Sequence, residues 1–595
     1  MIDIVPPAFI YIVGAFLIPL LGNRLRLLKQ AFLLLIPAIA FWDLLNMPQG
    51  TYWIYQFLGY ELILGRVDKL SMVFGYIFVI MSFLGMVYAI HIKEDGQHVA
   101  AFLYMGSTLG VVFTGDLFTL FVFWEIMAGA SVFLVWYRRE QAALDAGFRY
   151  VFVHLAGGAI LLAGIVMHVV ETGSTAFSLL KSDTLASNFI LFGFLLNAAV
   201  PPLHAWLADA YPEGTVTGSV FMTAFTTKSA VYVLARGFAG TELLIWLGAI
   251  MALYGVVYAV LENDIRRLLA YHIISQVGYM VCGVGLGSEL AINGASAHAF
   301  CHILYKALLF MGTGAVIYVT GRRKMTELQG RNLYRMMPIT VTLYMIGAFS
   351  ISAVPLFNGF VSKTMVIAAA GMLNRPAIEL MLHLASIGTF LHTGLKLPWG
   401  TWFGKPTGQE DKIEAKEPPL NMLVAMGLTA FLCILTGVYP QVLYNILPYP
   451  VDFHPYTADK VVAAMQMLLL TAAAFWLYID KLGGEPTVSM DTDWFYRMFG
   501  RGVAWFCEKP LNALRSGVQA FLTSDVKGFA LLAKNPYRAG RLIASYFRGD
   551  PKDKYQAVRN EPYNVNTYRI PIGVSAGVAT IFLFLLTLIY FAVGG

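Results

Sequence analysis

Glu125, Lys228 and Lys306 are ionisable residues set inside long apolar stretches, and they define the chemistry open to this chain. Glu125 sits within LFTLFVFWEIMAGASVFLVW (117–136) and Lys228 within SVFMTAFTTKSAVYVLA (219–235). Lys306 shares ASAHAFCHILYKALLFMGTGAVIYV (295–319) with His298, His302 and Tyr305. A charge at bilayer depth costs about 2.5–3.5 kcal/mol on insertion scales. Such residues therefore face a protein interior or a hydrated cavity, pair with one another, and mark a path for ions or protons. In a low dielectric, a carboxylate facing a lysine can exist as an ion pair or as neutral acid and amine. A small change in hydration then moves a proton.

His298, His302 and Lys306 follow the spacing i, i+4, i+8. They lie on one helix face over about 12 Å of rise. A string of titratable groups along a membrane axis suits proton conduction. The alternatives are an inert packed face or a two-histidine metal site, for which no third acidic or cysteine ligand stands nearby in sequence. Thr226 and Thr227 precede Lys228 and can hydrogen-bond an ammonium, the alternative being a lysine that reaches the interface along its stem. Lys363, beyond Pro355, extends the row. Lys396, before Leu397-Pro398-Trp399, is either a further member or an interfacial anchor. His154, His168, His204, Tyr271 and His272 are secondary candidates for relay or packing.

The elements that must position these residues are membrane helices. Of 595 residues, 58% are hydrophobic and 13% charged, far from the soluble norm of about 45–50% and about 25%. About sixteen spans of roughly twenty residues fit the pattern. The first, 8–22, lacks a cleavage site after it and is expected to be retained. The aromatic, alternating stretch 51–68 predicts a β-hairpin at the membrane surface. Arg24, Arg26, Lys29, Arg138, Arg139, Arg266, Arg267, Arg322, Arg323 and Lys324 fall on one side if spans alternate. That side is cytoplasmic by the positive-inside rule, with both termini outside.

Two stretches, LLNAAVPPLHAWLADA (195–210) and FSISAVPLFNGFVSKT (349–364), share Ala-Val-Pro within an apolar run. Paired interruptions in two halves of a chain point to an ion path at a repeat interface. Towards the C-terminus, 493–549 mixes aromatic and aliphatic residues with Arg and Lys, the pattern of an interfacial amphipathic helix. It would reach on the order of 80 Å if continuous, with Pro510 and Pro536 expected to divide it. The four cysteines are scattered and no CxxC, Walker loop or GxGxxG after a strand occurs. No cofactor, metal or nucleic acid is expected. The net charge of +6 belongs to membrane topology.

FWEIMAGASVFL, PPLHAWLADAYPEGTVTGSVFMTAFTTKSAVYVLAR, ENDIRRLLAYHIISQVGYM, HAFCHILYKALLFMGTGAVI and SAVPLFNGFVSK together resemble the antiporter-like subunits of complex I, Mrp-type sodium/proton antiporters and membrane-bound hydrogenases. The branch of the D-type Mrp subunits looks most similar. The resemblance covers most of 60–440 and implies an all-α polytopic protein with two inverted five-helix repeats, each with a broken helix, and a lateral amphipathic helix. Glu125 and Lys228 would form the carboxylate–lysine pair of one half-channel. His298, His302 and Lys306 would connect the halves, and Lys363 would stand at the exit of the other. Thr364 departs from the acidic residue many relatives carry there, which leaves the exit route open. Secondary site candidates are His204, Lys396, Tyr305 and His154.

The organisation expected is N-terminal helices and hairpin (1–96), first half-channel repeat (97–260), second repeat (261–400), core helices (401–480), cytoplasmic-side amphipathic segment (481–570) and a final span (571–595). The function expected is proton translocation in a multisubunit complex of the cell membrane, with exchange for sodium open. Partners are other membrane subunits through 493–549. The rivals are a redox-driven pump subunit, or a coupling subunit for another solute such as inorganic carbon.

Overall fold

An apolar run inside a bilayer must satisfy its backbone internally, and the helix is the single-segment solution. The computed structural model describes residues 5–21, 26–405, 413–479, 481, 491–565 and 572–594; Arg24 lies outside them. Among the described residues, eleven helices are long and apolar enough to cross a membrane, and Pro7–Leu21, Leu185–Asn197 and Pro338–Ile351 are shorter apolar ones. The chain forms two units, Met1–Asp493 and Trp494–Gly595.

In the first unit the two Ala-Val-Pro stretches are two copies of one helix stop. Leu185–Asn197 gives way to Ala199 at φ +58°, and Pro338–Ile351 to Ala353 at φ +57°. Ala199 N donates to Leu196 O and Val200 N to Leu195 O; Ala353 N donates to Ser350 O and Val354 N to Phe349 O. This is the Schellman closure, with alanine where glycine is usual. Pro201 and Pro355 follow and have no amide to continue the ladder. The chain resumes helix at Ala205–Ala210 and Asn358–Met372. A third interruption separates Val216–Ala224 from Thr226–Gly237, where the Tyr104 hydroxyl accepts from Thr226 N at 3.0 Å.

Helices Glu242–Leu261 and Ile265–Leu286 pack backbone to backbone. A Cβ on Gly248 would sit 2.3 Å from Cys282 N, and one on Gly255 2.5 Å from Ser275 N. Small residues at such a seam let membrane helices approach closely. The seam sets Tyr254 and Tyr271 side by side, with Tyr258 stacked between them.

The expected hairpin is present. β1 (Gly50–Phe57) pairs antiparallel with β2 (Tyr60–Val67), turning at Leu58-Gly59 with φ of +50° and +84°, the two-residue turn that matches strand twist. Gly115 N donates to Ile63 O, and Ile63 N to Asp116. Asp116 also caps Leu117–Trp136 through Thr119 N, so the hairpin fixes the start of the helix that carries Glu125. At the opposite ends of the spans, Glu213 pairs with Arg138 at 2.7 Å and Arg323 at 2.8 Å, and Arg323 reaches Asp264 at 2.8 Å.

In the second unit the helix beginning at Asp493–Phe506 continues through a π turn, Cys507–Leu511, into Asn512–Ala533. Pro510 therefore does not divide it, against expectation. The wider π turn accommodates the amide that proline lacks. The division is at Pro536, which opens Pro536–Phe547 with Asn535 as its cap. Lys552–Asn560 and the apolar Ile572–Gly594 complete the unit.

Glycine adopts φ near +57° without the Cβ penalty of about 1 kcal/mol. Ala353→Gly should therefore match or exceed the wild-type unfolding midpoint in detergent, and Ala353→Val should fall below it. Identical melting of all three would show that the backbone at the stop carries no strain.

Candidate ion-translocation site

Helix ends leave carbonyls without an intrahelical donor, and these carbonyls receive the membrane lysines. Lys228 donates to Thr223 O at 2.6 Å, at the end of Val216–Ala224, and to Thr227 Oγ1 at 3.1 Å. Lys363 donates to Ile351 O at 2.8 Å, the last residue of Pro338–Ile351, and stands over the Tyr279 ring. Lys396 lies in a π-helical segment, Phe390–Lys396, and donates to Val260 O and Glu262 O where Glu242–Leu261 ends. The C-terminal end of a helix carries partial negative charge, which favours a cation there.

Lys306 differs. It is fully buried and its Nζ has no hydrogen-bond partner, as is true of both His302 ring nitrogens. One turn further along the same helix face, His298 Nδ1 meets Ser362 Oγ at 3.0 Å, and its Nε2 lies 3.4 Å from the Tyr305 hydroxyl. Tyr305 in turn reaches Gln276 Oε1 at 3.4 Å. Lys228 and Lys363 each act electrostatically on Lys306, and all three lysines act on His302. The structure thus brings together five of the six principal candidates, from three broken or long helices.

Glu125 stands apart from this group. It is half-buried, its Oε1 has no hydrogen-bond partner, and no ion pair joins it to Lys228. Its carboxylate rests against Gly158, where an added Cβ would meet Oε1 at 1.9 Å. His154 packs between Tyr150 and Trp206.

His204, immediately after the first break, is fully buried and its Nε2 pairs with Asp491 at 3.0 Å. Sequence reasoning missed Asp491, His392 and the lining of a cavity beside Lys363. That cavity, about 290 Å³, is also lined by Glu379, His383, Asp459 and Lys460. Glu379 and His383 lie in Pro376–Thr389, and Asp459 and Lys460 begin Ala458–Leu477. His392 faces His272 across 6.1 Å. A histidine four residues before Lys396 was a visible signal; the others carry none without the fold.

Residues 114–391 match the family model described as NADH:quinone oxidoreductase/Mrp antiporter, TM. The A-type subunit of the Na(+)/H(+) antiporter of Alkalihalophilus pseudofirmus is 30% identical over 69% of this chain and 55% of its own length. Residues 114–391 belong to this antiporter-like family. Hydrogenase-4 component B of Escherichia coli is another relative, 30% identical over 63% of this chain and 62% of its own. The chain thus spans less than two thirds of both curated relatives. In fold, this antiporter-like chain is similar to a chain of the archaeal membrane-bound sulfane sulfur reductase, with a TM-score of 0.67 at 22% identity. That likeness covers 98% of this chain and 99% of the other.

A buried polar group without a partner costs about 1–3 kcal/mol. Lys306→Met should therefore raise the thermal midpoint of the purified protein. A lowered midpoint would show that Lys306 contributes packing or a bond that outweighs its desolvation.

Proposed function

We propose that this antiporter-like chain moves protons across a membrane through the row Lys228, His302, His298, Lys306 and Lys363, as one subunit of a larger complex. The observation that carries the proposal is the burial of these basic groups together in apolar helices, with the lysines at either end of the row seated on helix-end carbonyls. Such a seat accepts a hydrogen bond from an ammonium and from the amine it becomes, so the proton leaves without dismantling the site. Lys306 and His302, lacking protein partners, require hydration to be satisfied, and water between them supplies the transfer route. Glu125 acts on the first half-channel when hydration or a side-chain swing links it to Lys228.

The cavity beside Lys363 supplies the way out that Thr364 does not. Its Glu379, His383 and Asp459 replace the acid expected after the lysine. The Lys/Arg distribution supports an outside location for that end of the protein and for both termini, in the membrane of the cell. The halves of the path correspond to 97–260 and 261–400, and 493–549 is the face toward neighbouring subunits. Exchange for sodium is supported by the named antiporter relative. The hydrogenase relative supports a second reading, in which redox partners drive the same proton path.

The test is proton uptake by the native complex reconstituted in liposomes, followed with a pH-sensitive dye. Glu125→Gln should assemble normally and lose transport. Gly158→Ala should assemble and be impaired several-fold, because the new methyl displaces the Glu125 carboxylate. Wild-type rates in Glu125→Gln would remove Glu125 from the path. Flavin or iron–sulfur proteins co-purifying with the complex would favour the redox-driven reading over a sodium antiporter.

A further inference from the structure

Asp491 is the most enclosed carboxylate among the ion pairs of the described residues. Its side chain is 1% exposed, although it lies in the connection that follows the last helix of the first unit. Three elements supply its donors: His204 Nε2 at 3.0 Å, Tyr271 Oη at 2.5 Å, and the Tyr254 hydroxyl. Thr492 adds its own amide to Asp491 and its hydroxyl to Pro202 O at 3.3 Å. A carboxylate taken out of water costs several kcal/mol unless it is paired and hydrogen-bonded. Burial alone would raise the Asp491 carboxyl; His204 together with the two tyrosine hydroxyls outweighs it and holds the group below the usual carboxylate range. Asp491 therefore stays anionic throughout the neutral range.

His204 is the group this arrangement fixes. With Nε2–H directed at the carboxylate, the ring presents Nδ1, which is buried without a partner. The ring also packs edge-on with Tyr254, the ring centroids 4.6 Å apart. A carboxylate on one imidazole nitrogen sets the tautomer and orientation of the ring and leaves the other nitrogen free to take up a proton.

We propose that Asp491 is a positioning residue of the ion path, one that holds His204 at the first helix break so that its Nδ1 accepts and releases protons. The inference rests on the proton-path reading above and adds to it a residue from outside the family's matched region, 114–391. The proton adds at Nδ1, giving an imidazolium held by Asp491, and leaves from the same atom. The other charged or titratable groups around the cluster are Tyr258, Glu262, Arg267 and Asp493. Arg267 pairs with Glu262 at 3.2 Å and also interacts with Tyr271 and Asp493, so its charge is shared among these groups.

The experiment is proton transport per assembled complex, measured across pH in liposomes, for Asp491→Asn, Asp491→Glu and His204→Gln. Without a neighbouring anion an imidazole is harder to protonate. Asp491→Asn should therefore assemble but move the pH profile toward acid, and Asp491→Glu should restore much of the wild-type profile. His204→Gln keeps a donor for Asp491 and lacks the titrating ring. It should assemble and lose the pH-dependent limb, which keeps the test open if Asp491→Asn does not fold. Wild-type profiles in Asp491→Asn or His204→Gln would overturn the proposal, as would a defect confined to the amount of assembled complex. Glu125→Gln serves as the control: if it abolishes transport while the Asp491 and His204 variants are unaffected, the positioning role alone fails. If neither it nor Lys306→Met affects transport, the proton-path reading fails.

Discussion

The bond between a buried lysine and a carbonyl freed by an interrupted helix is what the rest of this structure depends on. An ammonium in an apolar interior is prohibitively costly unless something accepts its hydrogen bonds, and an unpaired helix-end carbonyl carries the complementary cost. Each feature is unfavourable alone and together they satisfy one another. Lys228 on Thr223 and Lys363 on Ile351 are instances at interruptions, and Lys396 on Val260 repeats the bond at an ordinary helix end. A carbonyl brings no net charge, so the lysine is held in place without the strong ion pair that would trap its proton. Breaks in membrane helices usually need a cavity or neighbouring side chain to be tolerated; here a buried lysine is itself the tenant.

The two helix stops are built alike and used differently. Both close with an alanine in the left-handed region and the same pair of amide bonds. In the second, Lys363 takes a freed carbonyl. In the first, Leu196 O accepts from the Trp206 indole at 3.0 Å, and the ionisable group nearby is His204, tied to Asp491. A repeated backbone device thus holds an amine in one half and an imidazole–carboxylate pair in the other.

Much of this was legible in the chain itself. The apolar runs located the helices, alternation located the hairpin, and the repeated Ala-Val-Pro located both stops. The i, i+4, i+8 spacing placed His298, His302 and Lys306 on one face, where the structure has them. Partners were another matter. Which carbonyl a lysine meets depends on where a distant helix ends, and Asp491 reaches a histidine 287 residues earlier. Local sequence carries no trace of such a meeting. Glu125 and Lys228, joined by family resemblance, are separate side chains in this conformation. Pro510 misled because its effect depends on whether the surrounding turn can widen, which composition does not report.

That widened turn has a mechanical consequence. Helical structure runs from Asp493 to Ala533 without interruption, on the order of 60 Å at 1.5 Å per residue, and the joint falls beyond it, at Lys534 and Asn535. Two joints would have made a chain of short links that absorb displacement by folding at each one. A single joint leaves a long member stiff against bending, able to push as well as pull.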